Sequence, residues 1–275
     1  MGHDAEKDRI FPKLWRAGLN GKPTGILYIF LFLCRSAPLL PLAFFPASPA
    51  LAAGFIVSPI KVEFPHGKSM ASLNLTNTSG TPTLVQVEAF RWEQENGKDV
   101  LTPTEDIFPA PPIITVSPRK TQIIRIALRR PPGANTELCY RLFISEVPDE
   151  SRKGPSAVGV ALRLSLPVFL EPVAKKKEKF QWEAERAGEK RIKLTLVNKG
   201  NTHEQVGPLK IYDGNARKPV FDKTIGDYVL PGQARSWVLD LEGPVSSGLV
   251  SVEADMDARK TQTRLDLGRL RATAR

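Results

Sequence analysis

Residues 158–172 read VGVALRLSLPVFLEP, and the meaning of this one stretch decides the fold. Val158, Val160, Leu162, Leu164, Leu166 and Val168 take every second position, with Gly159, Ala161, Arg163, Ser165 and Pro167 between them. A period of two is that of a strand with one buried side. The run is longer than the usual strand of about five or six residues. Pro167 has no N–H to give to a ladder, which puts the strand at a sheet edge or a bulge. Soluble proteins avoid a long apolar edge, because its unpaired backbone invites another chain. The stretch predicts a strand over 158–168 that is left open.

Working outward, FIVSPIKVEF, MASLNLTN, TLVQVEAFRWEQ, IITVSP, TQIIRIAL and LCYRLFISEVP share its strand character. They are cut by PHGK, TSGTP, ENGKD, APP and PPGAN, clusters that favour turns. No helical period intervenes, so residues 54–172 predict a β-sandwich. EPVAKKKEK reads as a short linker. Beyond it, KFQWEAERAG, RIKLTLVNKG, LKIYDG, KPVFDKTIG, ARSWVLDL, GLVSVEADM and TRLDLG repeat the theme. A second, smaller sandwich is expected over 178–275, with Pro231-Gly232 turning the chain between two of its strands. So short a tether should leave a cleft between the two domains.

The 275 residues, 41% hydrophobic and 25% charged, are those of a globular chain with one large or two ordinary domains. The net charge of +10 is spread among interleaved acids. Its densest cluster, KKKEK at 175–179, is short and falls in the linker, so the charge reads as a solvated surface, with no nucleic-acid partner. Residues 1–52 read as a secretory signal. A basic stretch precedes the apolar GILYIFLFLC, and Ala50-Leu51-Ala52 is a small-x-small cleavage pattern. Arg35 and the prolines that follow break the run too often for a stable membrane span. After removal of 1–52 only Cys139 remains, read as a small buried hydrophobe. The remaining histidines, His66 and His203, lie far apart in turn-like settings, and no GxSxG, HExxH or phosphate-cradling loop occurs. Acid pairs such as Glu93/Glu95 and Asp149/Glu150 sit at turns. No enzyme, metal or cofactor is expected.

Together, PPIITVSPRKTQIIRI, YRLFISEVP and VGVALRLSLPVFLEP resemble the periplasmic chaperones of chaperone–usher pili. VNKGNTHEQVGPLKIYD and YVLPGQARSW are similar to the second domain of the archaic, spore-coat-U-type branch. The resemblance implies an all-β chain of two immunoglobulin-like β-sandwich domains in a boomerang. Such a chaperone completes pilus subunits by donor-strand complementation and delivers them to an outer-membrane usher. On that reading Val158, Val160, Leu162, Leu164 and Leu166 fill the subunit's groove, and 149–157 is the mobile loop that lets the strand lengthen. A pair of cleft bases in the family binds the subunit's C-terminal carboxylate. The resemblance places the first at Lys61, in SPIKVEF. The family's second, a lysine, falls at Pro167, so another cation must substitute; Arg91 in AFRWEQ is the one expected. Arg125 and Glu137 match polar sites of the family, while Glu171 stands where many relatives carry arginine, which puts the usual interdomain salt bridges in doubt. The alternative is an exported two-domain structural or adhesive sandwich protein that pairs its edge with a second copy.

Overall fold

A computed structural model describes residues 54–129, 133–148, 160–257 and 259–267. The expected signal segment, the expected mobile loop and Val158 lie outside the described residues. Residues 51–275 cluster as one compact unit, within which the strands form two lobes. Among the described residues every regular element is a strand.

The first lobe contains β1 (Phe55–Ser58), β2 (Val62–Phe64), β3 (Met70–Asn77), β4 (Thr83–Glu95), β5 (Lys98–Pro103), β6 (Ile107–Ala110), β7 (Ile113–Val116), β8 (Thr121–Leu128), β9 (Leu138–Glu146) and β10 (Arg163–Leu170). One sheet has the order β1-β3-β8-β6. The other runs β2-β10-β9-β4-β5, with β7 on the first residues of β4. Alternation explains the packing. In MASLNLTN, Leu73 and Leu75 face inward with Ile124 and Ile126 of β8, against Val85, Val87, Leu142, Ile144, Leu166 and Val168 of the facing sheet. Each such side chain, fully buried, contributes about 1.5–3 kcal/mol.

The second lobe contains β11 (Phe180–Gly188), β12 (Arg191–Asn198), β13 (Glu204–Asp213), β14 (Phe221–Val229), β15 (Ala234–Asp240), β16 (Leu249–Met256) and β17 (Arg259–Asp266). Its sheets are β11-β12-β15 and β14-β13-β16-β17, around Leu194, Leu196, Leu209, Ile211, Val252 and Met256. Pro231-Gly232 does turn β14 into β15, and Gly232 has the positive φ of 74° that the turn demands.

One strand in each lobe ends with the same device. Asn77, wholly buried at the end of β3, donates to the carbonyls of Thr81 (2.8 Å) and Val116 (2.9 Å) and accepts from Ser79 N–H. Asn198, at the end of β12, donates to Thr202 and Val229 and accepts from Gly200 N–H. A buried amide that is fully paired closes each turn without leaving an orphan polar group.

The open strand lies later than the alternation predicts. β10 begins at Arg163, not Val158, and runs on to Leu170. Pairing with β9 supplies the reason. That ladder runs from Leu138↔Leu170 to Ser145↔Arg163, and a last bond joins Glu146 N–H to the Leu162 carbonyl at 2.8 Å. Where β9 runs out, residues 160–162 have alternation but no ladder.

Candidate functional site

Among the described residues β10 is paired over its whole length along one side only. β9 covers all of it, whereas β2 covers just Val168–Leu170, in parallel. In such a ladder the backbone groups of successive residues point to opposite sides. The Leu162 carbonyl faces β9 and the Glu171 N–H bonds to the carbonyl of Phe64 at the end of β2, which fixes the parity. Even-numbered residues of β10 therefore bond to β9, and Arg163, Ser165 and Pro167 turn their backbone outward, to an edge on which no strand among the described residues pairs with them. The N–H that Pro167 lacks belongs to that open side, so the proline costs the sheet nothing.

Burial along the predicted groove-filling set is graded. Val160 is 79% exposed and outside any strand. Leu162 is half-buried, its N–H on the Glu146 carboxylate. Leu164 packs against the lobe's core and Leu166, 4% exposed, is part of it. The four described positions are thus not equivalent: Leu166 fills its own lobe, and Val160 fills nothing in it. On the opposite face of β10, the Arg163 guanidinium lies 4.1 Å over the Phe143 ring.

At its other end that opposite face meets the second lobe. Phe169 joins Trp92, Cys139 and Leu230 in a small separate core, with Tyr228 against it. Phe169 stacks on His203 at 3.5 Å and 5°. The Glu137 carboxylate, buried just before β9, accepts from both His203 N–H (2.6 Å) and His203 Nδ1 (2.7 Å). Gln94, at the far end of β4, accepts from Leu230 N–H and donates to the Tyr228 carbonyl. Arg235 adds a bond to Asp99 at 2.9 Å. Glu137 therefore ties the lobes through a histidine. Arg125, on an exposed face of the first lobe, has no part in it. Burial pushes the Cys139 thiol well above its ordinary range, which disfavours the reactive thiolate.

The two predicted anchor cations are not brought together. Register aligns Arg91, Tyr140, Val168 and Val62 in one row, and Val168 and Val62 face the lobe's interior. Arg91 therefore lies on the interior face, bonded to Glu93 (3.0 Å) and Asp106 (3.5 Å). Lys61, one residue before Val62, points to the other face. It meets Glu63 at 2.8 Å and lies 4.0 Å from Asp257 of the second lobe. Burial opposes its charge, but Glu63 outweighs that and holds the ammonium above its ordinary pKa. Lys61, Glu63, Glu171, His203 and Asp257 line a cavity of about 350 Å³. Glu171 is bonded to Lys176 at 2.8 Å, which lowers its pKa.

A cation that sequence reasoning missed stands on Lys61's face. Arg141 is the cross-strand partner of Pro167, and its guanidinium lies 3.7 Å over Trp92. The signal was available: in LCYRLFISE, Arg141 holds an outward position directly opposite the proline once β9 and β10 are aligned antiparallel.

Beside the cavity, Glu204 is buried and bonded to Arg259 at 3.0 Å, with its second oxygen unpaired. Burial, helped by Asp257, raises its pKa to about 7 from 4.5. The folded chain then holds a proton that the unfolded chain releases. Stability should fall as pH rises from about 4.5 to about 7, by on the order of 3 kcal/mol at most. Glu204→Gln should flatten that slope, read as urea midpoints at pH 5 and pH 8; an unchanged slope would rule Glu204 out as its source.

Comparison with known proteins places this arrangement. The family model described as "Pili and flagellar-assembly chaperone, PapD N-terminal domain" matches residues 54–176. The matched residues are those of the first lobe and the linker that follows it. Escherichia coli K12 has a relative named "Uncharacterized fimbrial chaperone YhcA", 26% identical over 133 residues, 48% of this chain; the match spans 56% of that protein's length. In fold, the chain is similar to one in the CsuC–CsuE chaperone–tip adhesion subunit pre-assembly complex from archaic chaperone–usher Csu pili of Acinetobacter baumannii. The TM-score is 0.59 and the identity 20%, over 78% of this chain and 98% of the other. It is also similar to a chain in the complex of Salmonella enterica SafA pilin with the SafB chaperone, with TM-score 0.54 and 18% identity, over 77% and 96%. These likenesses extend the chaperone fold beyond the matched domain, through both lobes.

Proposed function

We propose that the chain is a periplasmic assembly chaperone of the archaic chaperone–usher type, which captures pilus subunits and delivers them to an outer-membrane usher. The observation that carries this reading is the outer edge of β10, left unpaired over 163–167 among the described residues, in the lobe that the PapD model matches. An incomplete subunit gains main-chain bonds to Arg163 and Ser165, while side chains at the start of the strand enter its groove. Val160 and Leu162 are the most available of these, with Leu164 at the rim. No nucleotide or cofactor enters the scheme: capture draws on the subunit's own folding, and release follows when a neighbouring subunit's better-fitting segment takes the place of β10.

The edge also has a closed end. A segment lying on residues 163–167 abuts β2 at Val62 and so finishes beside Lys61. If it runs parallel to β10, as β2 does, what arrives there is its C-terminal carboxylate. A charge-assisted bond to Lys61 would contribute about 1.5–3 kcal/mol. Lys61→Ala should weaken capture about tenfold or more, as should amidation of the subunit's C-terminus. Full additivity of the two losses would mean that the groups do not meet.

The reading as a whole is tested by co-expression with small exported subunits encoded nearby. A soluble one-to-one complex supports it. Recovery of this chain inside the fibre would favour a structural protein instead.

A further inference from the structure

We propose that Lys175, Lys177 and Lys179 of the linker, with Lys199 beside them, form a docking row for an extended acidic segment of a partner protein, one that carries carboxylates at every second residue. The inference stands apart from strand lending and uses none of its residues.

Backbone pairing sorts the lysines. The β11–β12 ladder pairs Gln181 with Val197 and Phe180 with Asn198, and it continues into the linker. The Lys179 carbonyl accepts from Lys199 N–H, and Lys177 bonds to Asn201 through both its N–H and its carbonyl. The Lys175 carbonyl accepts from the Asn201 side chain. Odd-numbered linker residues thus turn their backbone to the 198–203 loop, and their side chains share one face. Even-numbered residues take the other face. There Lys176 is bonded to Glu171 (2.8 Å) and Glu178 to Arg259 (2.6 Å), and both line the cavity beside Lys61. KKKEK, a solvated cluster by sequence, is therefore two sets, one ion-paired and one not.

The unpaired set is conspicuous. Lys175, Lys177, Lys179 and Lys199 are all exposed, and among the described residues no carboxylate lies within 4.0 Å of their ammonium groups. Lys199 reaches only the amide oxygen of Gln181. Lys179 and Lys199 stand opposite each other across the ladder, and like charges so placed destabilise a sheet. An anionic partner would relieve that repulsion.

Spacing selects the partner. Alternate residues of an extended chain stand about 6.8 Å apart, so the row matches the carboxylates of another extended segment one for one. A flat anionic lipid surface fits worse. The same face continues along β11 into exposed Glu183 and Glu185, which a bilayer would also meet. A segment that stops at Gln181 avoids both.

The test measures binding of the purified chain, at low ionic strength, to a synthetic alternating Glu–Thr peptide amidated at its C-terminus. A peptide of the same composition with its glutamates contiguous is the reference. Wild type should bind the alternating peptide roughly fivefold or more tightly than the reference. Both should weaken as salt is raised. Lys175→Gln, Lys177→Gln and Lys179→Gln combined should erase the preference. The same change of charge at Lys190, Lys218 and Lys223, exposed elsewhere on the second lobe, should keep it. All the replaced side chains are exposed, and an unchanged thermal midpoint shows that each variant is folded. No preference in wild type, or its retention in the folded linker variant, overturns the proposal. Binding to phosphatidylglycerol vesicles that the linker variant loses, with no discrimination between the peptides, overturns it in favour of a membrane surface.

Discussion

Leu162→Glu should abolish co-purification of a pilus subunit while leaving the chain folded. Leu162 stands where β9 ends, half-buried, and is not among the residues packed against the first lobe's core. A carboxylate there stays solvated in the free chain, so the fold loses little. In a complex the same carboxylate would enter an apolar groove without a partner, a cost of several kcal/mol and therefore a loss of more than about a hundredfold in affinity. Leu166→Ala is the informative contrast. Because Leu166 is sealed in its own lobe, the truncation should cost about 2–5 kcal/mol of stability. Thermal unfolding and subunit pull-down, run on both variants, separate the two roles. Normal co-purification by Leu162→Glu would mean that the subunit does not use this part of the chain.

Gly200→Ala should uncouple the lobes. The 198–203 loop of the second lobe grips the linker. Asn201 N–H bonds to the Lys177 carbonyl (2.9 Å), Lys177 N–H to the Asn201 side chain (2.7 Å), and Lys199 N–H to the Lys179 carbonyl (2.7 Å). Gly200 lies so close beneath this strap that a methyl group would fall inside van der Waals contact of the Lys177 carbonyl oxygen, with Lys179 N at 3.2 Å. Its own φ is not in the left-handed region, so the penalty is steric rather than conformational. Relief requires the linker to lift. Overpacking costs of about 1–3 kcal/mol then add to the loss of up to three hydrogen bonds at about 1 kcal/mol each. The same loop carries His203, so the Glu137 tie should loosen as well. Calorimetry should resolve the unfolding into two transitions, with faster amide exchange at Asn201 and Glu137. One unshifted transition would show that the strap is not what joins the lobes.

Much of this was legible in local pattern. Period-two alternation marked the strands, Pro167 marked an edge, and Pro231-Gly232 marked a turn; each is a property of residues adjacent in sequence. The extent of β10 was not, because a strand lasts only as long as its neighbour. Val160 alternates correctly, yet β9 ends at Glu146 before reaching it. Arg91 was chosen because its strand borders the second lobe. Which face it occupies depends on parity relative to Val62 and Val168, strands far away in the chain.

By itself the sequence determined that this chain is all-β, with an apolar strand whose proline forbids a neighbour on one side. Only the tertiary structure decided which residues of that strand remain free, that Glu137 meets His203, and that Arg141 rather than Arg91 shares a row with Lys61. The physical reason is range. Alternation and turn chemistry act between adjacent residues, whereas register and facing are set by how distant strands align, and a one-residue slip would send every side chain to the other face.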